Sequence, residues 1–229
     1  NVNSSQLGIK AIGTANDTVT LKQTTTKWAA DFLARNMGNN GKGATSAEVS
    51  DMTIYLKHDL SLNLSLGTDT IQGTSGNDAL FLQNFGTIGD TLFYEDAGSS
   101  TGGARLQGIE SINLLGGRNF LDLTSSTTSL AGKSINITSG TGHDILWLSD
   151  ANETINSGNG NDQITLNGGT DTLETSLGSD AVTISNYFGN LTITDFDIST
   201  DTFIFKSPSN AVSVSGNVIT VANTLGDYV

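Results

Sequence analysis

The chain has no cysteine, a single proline and few charged residues, which make up 14% of its 229 positions. Without cysteine there is no disulfide framework, no thiolate metal site and no cysteine nucleophile. No stretch approaches the length of an apolar membrane-spanning segment. Lys and Arg number 10 against 23 Asp and Glu, so the formal net charge is −13. This charge argues against nucleic-acid binding, which needs basic residues, and favours cations.

Glycine is abundant instead, with 27 residues, and its spacing shows a repeat. From Ser139 onward the chain divides without a gap into the blocks SGTGHDILW, LSDANETIN, SGNGNDQIT, LNGGTDTLE, TSLGSDAVT and ISNYFGNLT. The sixth positions of these blocks are Asp144, Glu153, Asp162, Asp171, Asp180 and Gly189. The eighth positions are Leu146, Ile155, Ile164, Leu173, Val182 and Leu191. Apolar residues at a fixed interval, all but the last preceded by a carboxylate, indicate a solenoid.

Each block combines a Gly-rich turn with a very short strand that points one side chain inward. Stacked coils would pair these strands in parallel and bury the eighth-position residues in a narrow core. Two earlier blocks, LSLGTDTIQ (64–72) and GTSGNDALF (73–81), carry Asp69 and Asp78 in the same pattern. Weaker echoes surround Asp17, Asp90 and Asn119, so irregular coils are expected over 82–138.

These blocks resemble the RTX nonapeptide GGxGxDxUx, in which U is a large apolar residue. The resemblance is strongest over 139–192 and good over 64–81. It implies an all-β fold, a right-handed parallel β-roll or β-helix solenoid, with two nonamers in each turn and calcium ions between successive turns in the Gly/Asp loops. LTITDFDISTDTFIF (191–205) is similar to the closing segment that often follows such repeats. LQGIESINLLGG (106–117) resembles coils of large RTX-type surface-layer proteins.

If two blocks make one turn, the sixth positions of alternate blocks stack on one edge of the solenoid. Edge one then carries Asp144, Asp162 and Asp180, and edge two carries Glu153 and Asp171. Neighbouring strands lie about 4.8 Å apart, so stacked ionised carboxylates repel by about 3 kcal/mol per pair. Calcium removes this repulsion, because it accepts many carboxylate and carbonyl oxygens in flexible geometry. The alternative is that these aspartates only form turns, by bonding their own backbone.

Several calcium ions are therefore expected, in three groups of candidate ligands. The repeat loops offer Asp144, Asp162 and Asp180 with Gly142, Gly160 and Gly178, and also Glu153 and Asp171. The earlier blocks offer Asp69 and Asp78 with Gly76. A separate loop with oxygens at alternate positions offers Asp195, Asp197 and Asp201.

Three segments follow from the pattern. Residues 1–63 are expected to form an N-terminal coil with a helical insertion over Lys27 to Met37, followed by a strand in HDLSLNLSLG (58–67). Residues 64–192 are expected to form the calcium-binding β-roll, with irregular coils over 82–138. Residues 193–229 form the closing segment and a β cap, with a hairpin of AVSVSG and VITVA around Asn217.

Catalytic signals are weak. The sequence contains no HExxH motif, and His143 occupies the outward fifth position of a repeat loop, which favours a solvated residue. Ser100 lies in a formal GxSxG match, but a nucleophile elbow needs a strand before it and a helix after it, and GGARLQG follows. The sequence therefore predicts a protein region that is not an enzyme.

The leading hypothesis is a calcium-dependent structural module of an exported bacterial cell-surface protein, of the surface-layer or adhesin kind. The RTX resemblance implies type I export, with folding triggered by calcium outside the cell. Expected partners are further copies in a surface lattice or the cell envelope, and the type I export machinery. The alternative hypothesis is the noncatalytic C-terminal domain of a type I secreted enzyme such as a protease, lipase or epimerase.

Overall fold

A computed structural model describes residues 8–10, 14–20, 52–54, 61–64, 66–82, 86–88, 91–93, 106–124, 129–205 and 210–223. Within these residues every regular element is a β-strand. The strands are β1 (Gly8–Lys10), β2 (Thr18–Thr20), β3 (Met52–Ile54), β4 (Ser61–Asn63), β5 (Thr70–Gln72), β6 (Asn77–Phe81), β7 (Gly86–Ile88), β8 (Thr91–Phe93), β9 (Leu106–Gln107), β10 (Ser111–Asn113), β11 (Phe120–Asp122), β12 (Ser134–Thr138), β13 (Ile145–Trp147), β14 (Asn152–Asn156), β15 (Gln163–Glu174), β16 (Ala181–Ile193), β17 (Thr202–Phe205), β18 (Asn210–Ser215) and β19 (Val218–Asn223).

The strands stack in parallel in two rows, which are the two faces of a β-roll. Face one contains β3, β6, β11, β13, the first half of β15, the first half of β16, and β17. Face two contains β2, β5, β10, β12, β14 and the second halves of β15 and β16. The two long strands run through both faces, and their register shifts between Leu166 and Gly168, where the chain passes from one face to the other. The predicted all-β parallel architecture is confirmed.

The eighth-position residues fill the space between the two faces. Strand β12 shows the alternation that this requires, with Ile135 and Ile137 buried and their neighbours exposed. The predicted inward residues of the regular blocks are all buried: Leu146, Ile155, Ile164, Leu173 and Val182. Ile71 and Leu80 of the earlier blocks join the same apolar core.

The final block departs from the predicted register. Leu173 of β15 lies opposite Ile193 of β16, and Asp171 lies opposite Leu191, after an irregularity between Leu166 and Gly168. The expectation that Gly189 and Leu191 hold the sixth and eighth positions is therefore wrong. The block is longer than a nonamer, so Leu191 and Ile193 take these places, and both are buried.

After the first coil, successive steps along the chain have the same length on both edges. The step from Asp69 to Glu110 and the step from Asp78 to Asn119 both span 41 residues. The step from Asn119 to Asp144 spans 25 residues, and the steps to Asp162 and then to Asp180 span 18 each. The irregular coils predicted over 82–138 thus keep the register of the roll, and the added residues lie between stacked positions.

The remaining strands lie outside the two rows. Strands β1, β4 and β9 form a small parallel sheet, and β7 pairs with β8 in antiparallel fashion. Strand β4 lies within the strand predicted over 58–67. The predicted C-terminal hairpin is present as β18 and β19, and β19 pairs in antiparallel fashion with β16.

The helix predicted over Lys27 to Met37 falls on residues beyond those described, as does Asp90 itself. The strand that follows Asp90 is β8, which pairs in antiparallel fashion with β7 in a separate sheet, so this weak repeat is not a coil of the roll. The weak copy of the repeat around Asp17 is a true coil, because strand β2, which follows Asp17, pairs with β5. No helix long and apolar enough to cross a membrane is found in the described part of the chain.

Candidate metal centre

The sixth-position residues of edge one form a hydrogen-bonded column. The backbone N–H of Asp144 donates to Asp162 Oδ1 at 2.8 Å, and that of Asp162 donates to Asp180 Oδ1 at 2.8 Å. The backbone N–H of Asp180 donates to Asp201 Oδ1 at 3.1 Å. One oxygen of each carboxylate therefore joins its coil to the preceding one. The predicted stacking of Asp144, Asp162 and Asp180 is confirmed.

The second carboxylate oxygen of these residues has no such role. Oδ2 of Asp144, Asp162 and Asp180 is buried without a hydrogen-bond partner in the part of the chain that the structure describes. The three side chains are at most 1% exposed. Buried polar atoms are normally hydrogen-bonded, and a buried charge normally has a partner. The column therefore has three buried oxygens that are available to a ligand between its turns.

Burial makes these carboxyl groups weak acids when no cation is present. It raises the pKa of Asp144 to about 7 and that of Asp162 to about 8. It also raises the pKa of Asp180 to about 6. For Asp162, the neighbouring carboxylates Asp144 and Asp180 raise the pKa further by repulsion. Near neutral pH the column must therefore take up protons or a compensating positive charge.

The glycines two residues before these aspartates stack against backbone carbonyl oxygens. A Cβ atom on Gly160 would lie 1.4 Å from the Gly142 oxygen, and one on Gly178 would lie 1.5 Å from the Gly160 oxygen. Similar contacts run from Gly142 to Gly117, and from Gly117 to Gly76. Only glycine permits such close approach, so the loops bring successive carbonyl groups together beside the carboxylate column.

Edge two carries a second column, which is interrupted. The backbone N–H of Asp17 donates to Asp69 Oδ1 at 2.7 Å, and that of Asp69 donates to Glu110 Oε2 at 2.8 Å. The sixth position of the next coil is the apolar Ile135, since Asn136 pairs with Ser111. The column therefore has two separate runs.

The second run of edge two begins at Glu153. Its backbone N–H donates to Asp171 Oδ1 at 2.8 Å, which confirms the predicted stacking of this pair. Burial, and then repulsion from Asp171, raises the pKa of Glu153. Each run contains an unsatisfied buried oxygen of the kind seen on edge one, namely Asp69 Oδ2 and Glu153 Oε2.

Asp78 differs from the other aspartates of edge one. Its Oδ2 accepts a hydrogen bond from the backbone N–H of Thr74 at 2.7 Å, and its Oδ1 accepts one from Thr74 Oγ1 at 3.1 Å. Both oxygens thus close the loop that contains Gly76. Asp78 has the geometry of a turn-forming residue, which was the alternative interpretation for the aspartates of the repeat.

The predicted loop of Asp195, Asp197 and Asp201 does not converge on one point. Asp195 accepts hydrogen bonds from the backbone of Thr175 and Ser176, both at 2.8 Å. Asp197 is exposed and accepts a bond from the Ser199 N–H at 2.9 Å, while Asp201 completes the edge-one column. Among the described residues no three His, Cys, Asp or Glu side chains lie close enough together to hold a metal ion. The three carboxylates of this loop therefore have different hydrogen-bond partners and do not form one calcium site.

The weak repeat predicted around Asn119 is a true coil, because Asn119 lies in the edge-one column. The sequence pattern missed Glu110 of edge two, because a long chain segment separates it from Asp69. Asp122 is a buried carboxylate outside both columns, with Oδ1 accepting from Thr124 N–H at 2.8 Å and with Oδ2 unsatisfied. Burial raises its pKa to about 7. His143 is exposed, as predicted, and its Nδ1 accepts from the Asn161 N–H at 2.9 Å.

The fold and the columns define a parallel β-roll with stacked acidic loops. Comparison with protein families finds four copies of the RTX calcium-binding nonapeptide repeat, over residues 65–82, 136–164 and 147–182. The chain thus carries RTX repeats, as its sequence predicted, and the cation that these repeats bind is calcium. No curated protein and no solved structure matches the chain.

The described residues fit a calcium ion. Calcium takes only oxygen ligands, from carboxylates and backbone carbonyls, at about 2.3–2.6 Å. The columns supply unsatisfied carboxylate oxygens, and the stacked glycine loops supply carbonyl groups beside them. Since no three acidic side chains cluster within the described ranges, most ligands of each ion there would be backbone carbonyl oxygens.

Proposed function

We propose that this chain is a calcium-dependent structural and assembly module of an exported bacterial cell-surface protein, of the surface-layer or adhesin kind. The observation that carries the proposal is the set of buried, unsatisfied Oδ2 atoms of Asp144, Asp162 and Asp180. Near neutral pH a solenoid built on these oxygens is stabilised by a cation, which replaces the protons that its buried carboxylates would otherwise take up. Its stability is therefore set by the calcium concentration around it.

The residues that would hold calcium differ in how well their geometry supports the role. Asp144, Asp162 and Asp180 have the strongest support, together with the loops of Gly142, Gly160 and Gly178. Glu153, Asp171 and Asp69 have the same column geometry on edge two. Asp78 with Gly76, and Asp195, Asp197 and Asp201, use their oxygens mainly in hydrogen bonds within the chain.

Calcium supplies positive charge between stacked carboxylates when it is bound. The chain's own residues orient the ligands and hold the loops in position. Backbone N–H groups orient each carboxylate toward the preceding coil, and the stacked glycines let carbonyl groups approach. The apolar core holds the two faces together, so that the loops lie in register.

The proposed division of the chain follows from this role. Residues 64–192 would be the calcium-binding roll, residues 1–63 an N-terminal coil with an insertion, and residues 193–229 the closing segment. The low calcium of the cytoplasm would keep such a chain unfolded during type I export, and external calcium would drive folding by mass action. The net charge of −13 supports a cation-dependent role and no role with nucleic acid.

Circular dichroism tests the calcium dependence directly. The full chain should show its complete β structure and a high melting temperature in millimolar calcium, and in excess chelator it should lose part of that β structure and melt at a lower temperature. Magnesium at the same concentration should restore little, because it prefers a strict octahedron and retains its water. Identical spectra and melting curves in calcium and in chelator would contradict the proposal.

Light scattering separates the surface role from its alternative. A lattice or adhesin module should associate into larger assemblies as calcium is added, with a threshold near the folding midpoint. A chain that folds with calcium but stays monomeric at high concentration would instead support the noncatalytic domain of a secreted enzyme. That outcome would leave the calcium-binding role intact.

A further inference from the structure

Asn119 occupies a position of the edge-one column where the neighbouring coils have aspartate. Phe120, the next residue, pairs with Ala79 on one side and with Ile145 on the other. Asn119 therefore lies between Asp78 and Asp144 in the stack. Its side chain is fully buried.

The amide oxygen of Asn119 does what a carboxylate oxygen does elsewhere in the column. Asn119 Oδ1 accepts a hydrogen bond from the backbone N–H of Asp78 at 2.9 Å. The backbone N–H of Asn119 in turn donates to Asp144 Oδ1 at 2.6 Å. The stacking of coils thus continues through this position without a break.

The second atom of the amide is where Asn119 differs. Its Nδ2 donates to the carbonyl oxygen of Ser139 at 3.0 Å and to that of Gly116 at 3.3 Å. The opposite amide orientation would place an NH₂ group against the Asp78 N–H and an oxygen against two carbonyl oxygens, so the contacts fix the orientation. The equivalent atoms of Asp144 and Asp162 are oxygens with no partner among the described residues.

A nearby positive charge adds to this difference. The guanidinium of Arg118 lies close enough to the Asp144 carboxylate to favour its charged form. The backbone N–H of Arg118 also donates to Asn77 Oδ1 at 2.7 Å, which ties this loop to the coil before it. Donors and positive charge are therefore supplied here by the chain itself.

We propose that Asn119 takes the place of a calcium ion, so that its Nδ2 satisfies the carbonyl oxygens of Gly116 and Ser139 that an ion would otherwise bind. The inference rests on the proposed calcium-binding function. Edge one would then consist of a calcium-dependent part, from Asp144 to Asp201, and a coil around Asn119 that stays folded without metal. A single substitution at Asn119 would create an additional calcium site.

The test is a gain of binding in Asn119→Asp, which preserves side-chain size and supplies the missing carboxylate oxygen. Equilibrium dialysis with metal analysis should show one more calcium ion per chain than in the wild type. The difference in melting temperature between calcium and chelator should also grow. Asn136→Asp is the matched control, because it adds the same charge at an exposed position of β12. That control should bind as many ions as the wild type.

The outcomes separate this inference from the function beneath it. If the wild type binds no calcium, the proposed function fails. If the wild type binds calcium and Asn119→Asp binds no additional ion, only the inference about Asn119 is refuted.

Hydrogen exchange on the wild type provides a second measurement in case the variant does not fold. In chelator, segment 116–122 should keep its amide protection, while segment 157–165 should exchange several-fold faster than in calcium. Equal loss of protection in both segments would overturn the proposal.

Discussion

Replacing Asp162 with asparagine should change stability in opposite directions with and without calcium. Asp162 is the middle carboxylate of the regular edge-one column, bonded to Asp144 through its Oδ1 and to Asp180 through its N–H. Asparagine keeps the Oδ1 acceptor and removes the charge. The chain itself contains this arrangement at Asn119, which shows that an amide fits the column.

In chelator, the expected gain in stability of Asp162→Asn follows from the burial of Asp162. Its pKa is raised from 3.8 to about 8. A group whose folded pKa is raised contributes stability below its unfolded pKa and loses it as the pH rises through the folded value. At pH 7.5 almost all of this contribution is lost, at about 1.4 kcal/mol per pKa unit. We expect Asp162→Asn to recover about 2–5 kcal/mol, since the new amide must still find partners, and to raise the melting temperature by about 5–15 °C.

In calcium, Asp162→Asn should instead lower the stability of the fold. When the free calcium concentration is about 100 times the dissociation constant of a site, binding at that site stabilises the fold by about 2.7 kcal/mol. Loss of one such site should lower the melting temperature in millimolar calcium and raise the half-saturating calcium concentration. Thermal melts followed by circular dichroism, in calcium and in chelator, measure both effects.

Glu174→Gln serves as the control for Asp162→Asn. Glu174 is exposed on β15, and its Oε2 accepts a bond from Asn156 Nδ2 at 3.0 Å, so the variant removes one charge outside the columns. It should shift both melting temperatures slightly and without a change of sign. The reasoning is refuted if Asp162→Asn has equal small effects in the two conditions, because the aspartate would then be only a turn former.

Gly160→Ala should destabilise the roll by more than about 3 kcal/mol in calcium and in chelator alike, since its Cβ would lie 1.4 Å from the Gly142 oxygen. Gly132→Ala should cost about 1–2 kcal/mol by chemical denaturation, because Gly132 has a φ of 75° but open space around its Cβ. Leu146→Ala, in the fully buried core, should cost about 2–5 kcal/mol, and an unchanged urea midpoint would argue against the core. Calcium uptake should release protons, and the half-saturating calcium concentration should rise as the pH falls through about 8 to about 6, the raised pKa values of Asp162 and Asp180. In calcium-free buffer, stability should instead rise over the same fall in pH, as pH-dependent melts would show.

The regular part of the site could be predicted from the sequence because its repeat length is constant. Asp144, Asp162 and Asp180 are separated by 18 residues, so counting alone places them on one edge. The buried positions follow from the same count, since strand alternation then decides which side chains point inward. Leu146 and Ile164 therefore needed no three-dimensional information.

The irregular part could not be predicted because register is a property of backbone pairing. The steps of 41 and 25 residues that lead to Asn119 and then Asp144 leave no period to count. The two-residue lengthening of the last block moves Ile193 to the inward place predicted for Leu191, although either residue has the right character. Asp201 looked like part of a separate loop, because its link to Asp180 runs across a step of 21 residues.

After the first coil, the coils of this protein admit additional chain on one side only. The first coil differs, because β2 and β3, which pair with β5 and β6, are separated by a long segment. From edge two to edge one the later path is constant, since Asp69 to Asp78 and Glu110 to Asn119 are both nine residues apart. The return path from Asp78 to Glu110 and from Asn119 to Ile135 absorbs the extra length. Lengthening a loop costs little, about 0.6 kcal/mol for each doubling. A foreign peptide grafted into this return path, for example after Leu123, should leave the stack unaltered, which makes that flank of the roll a natural place for epitope display.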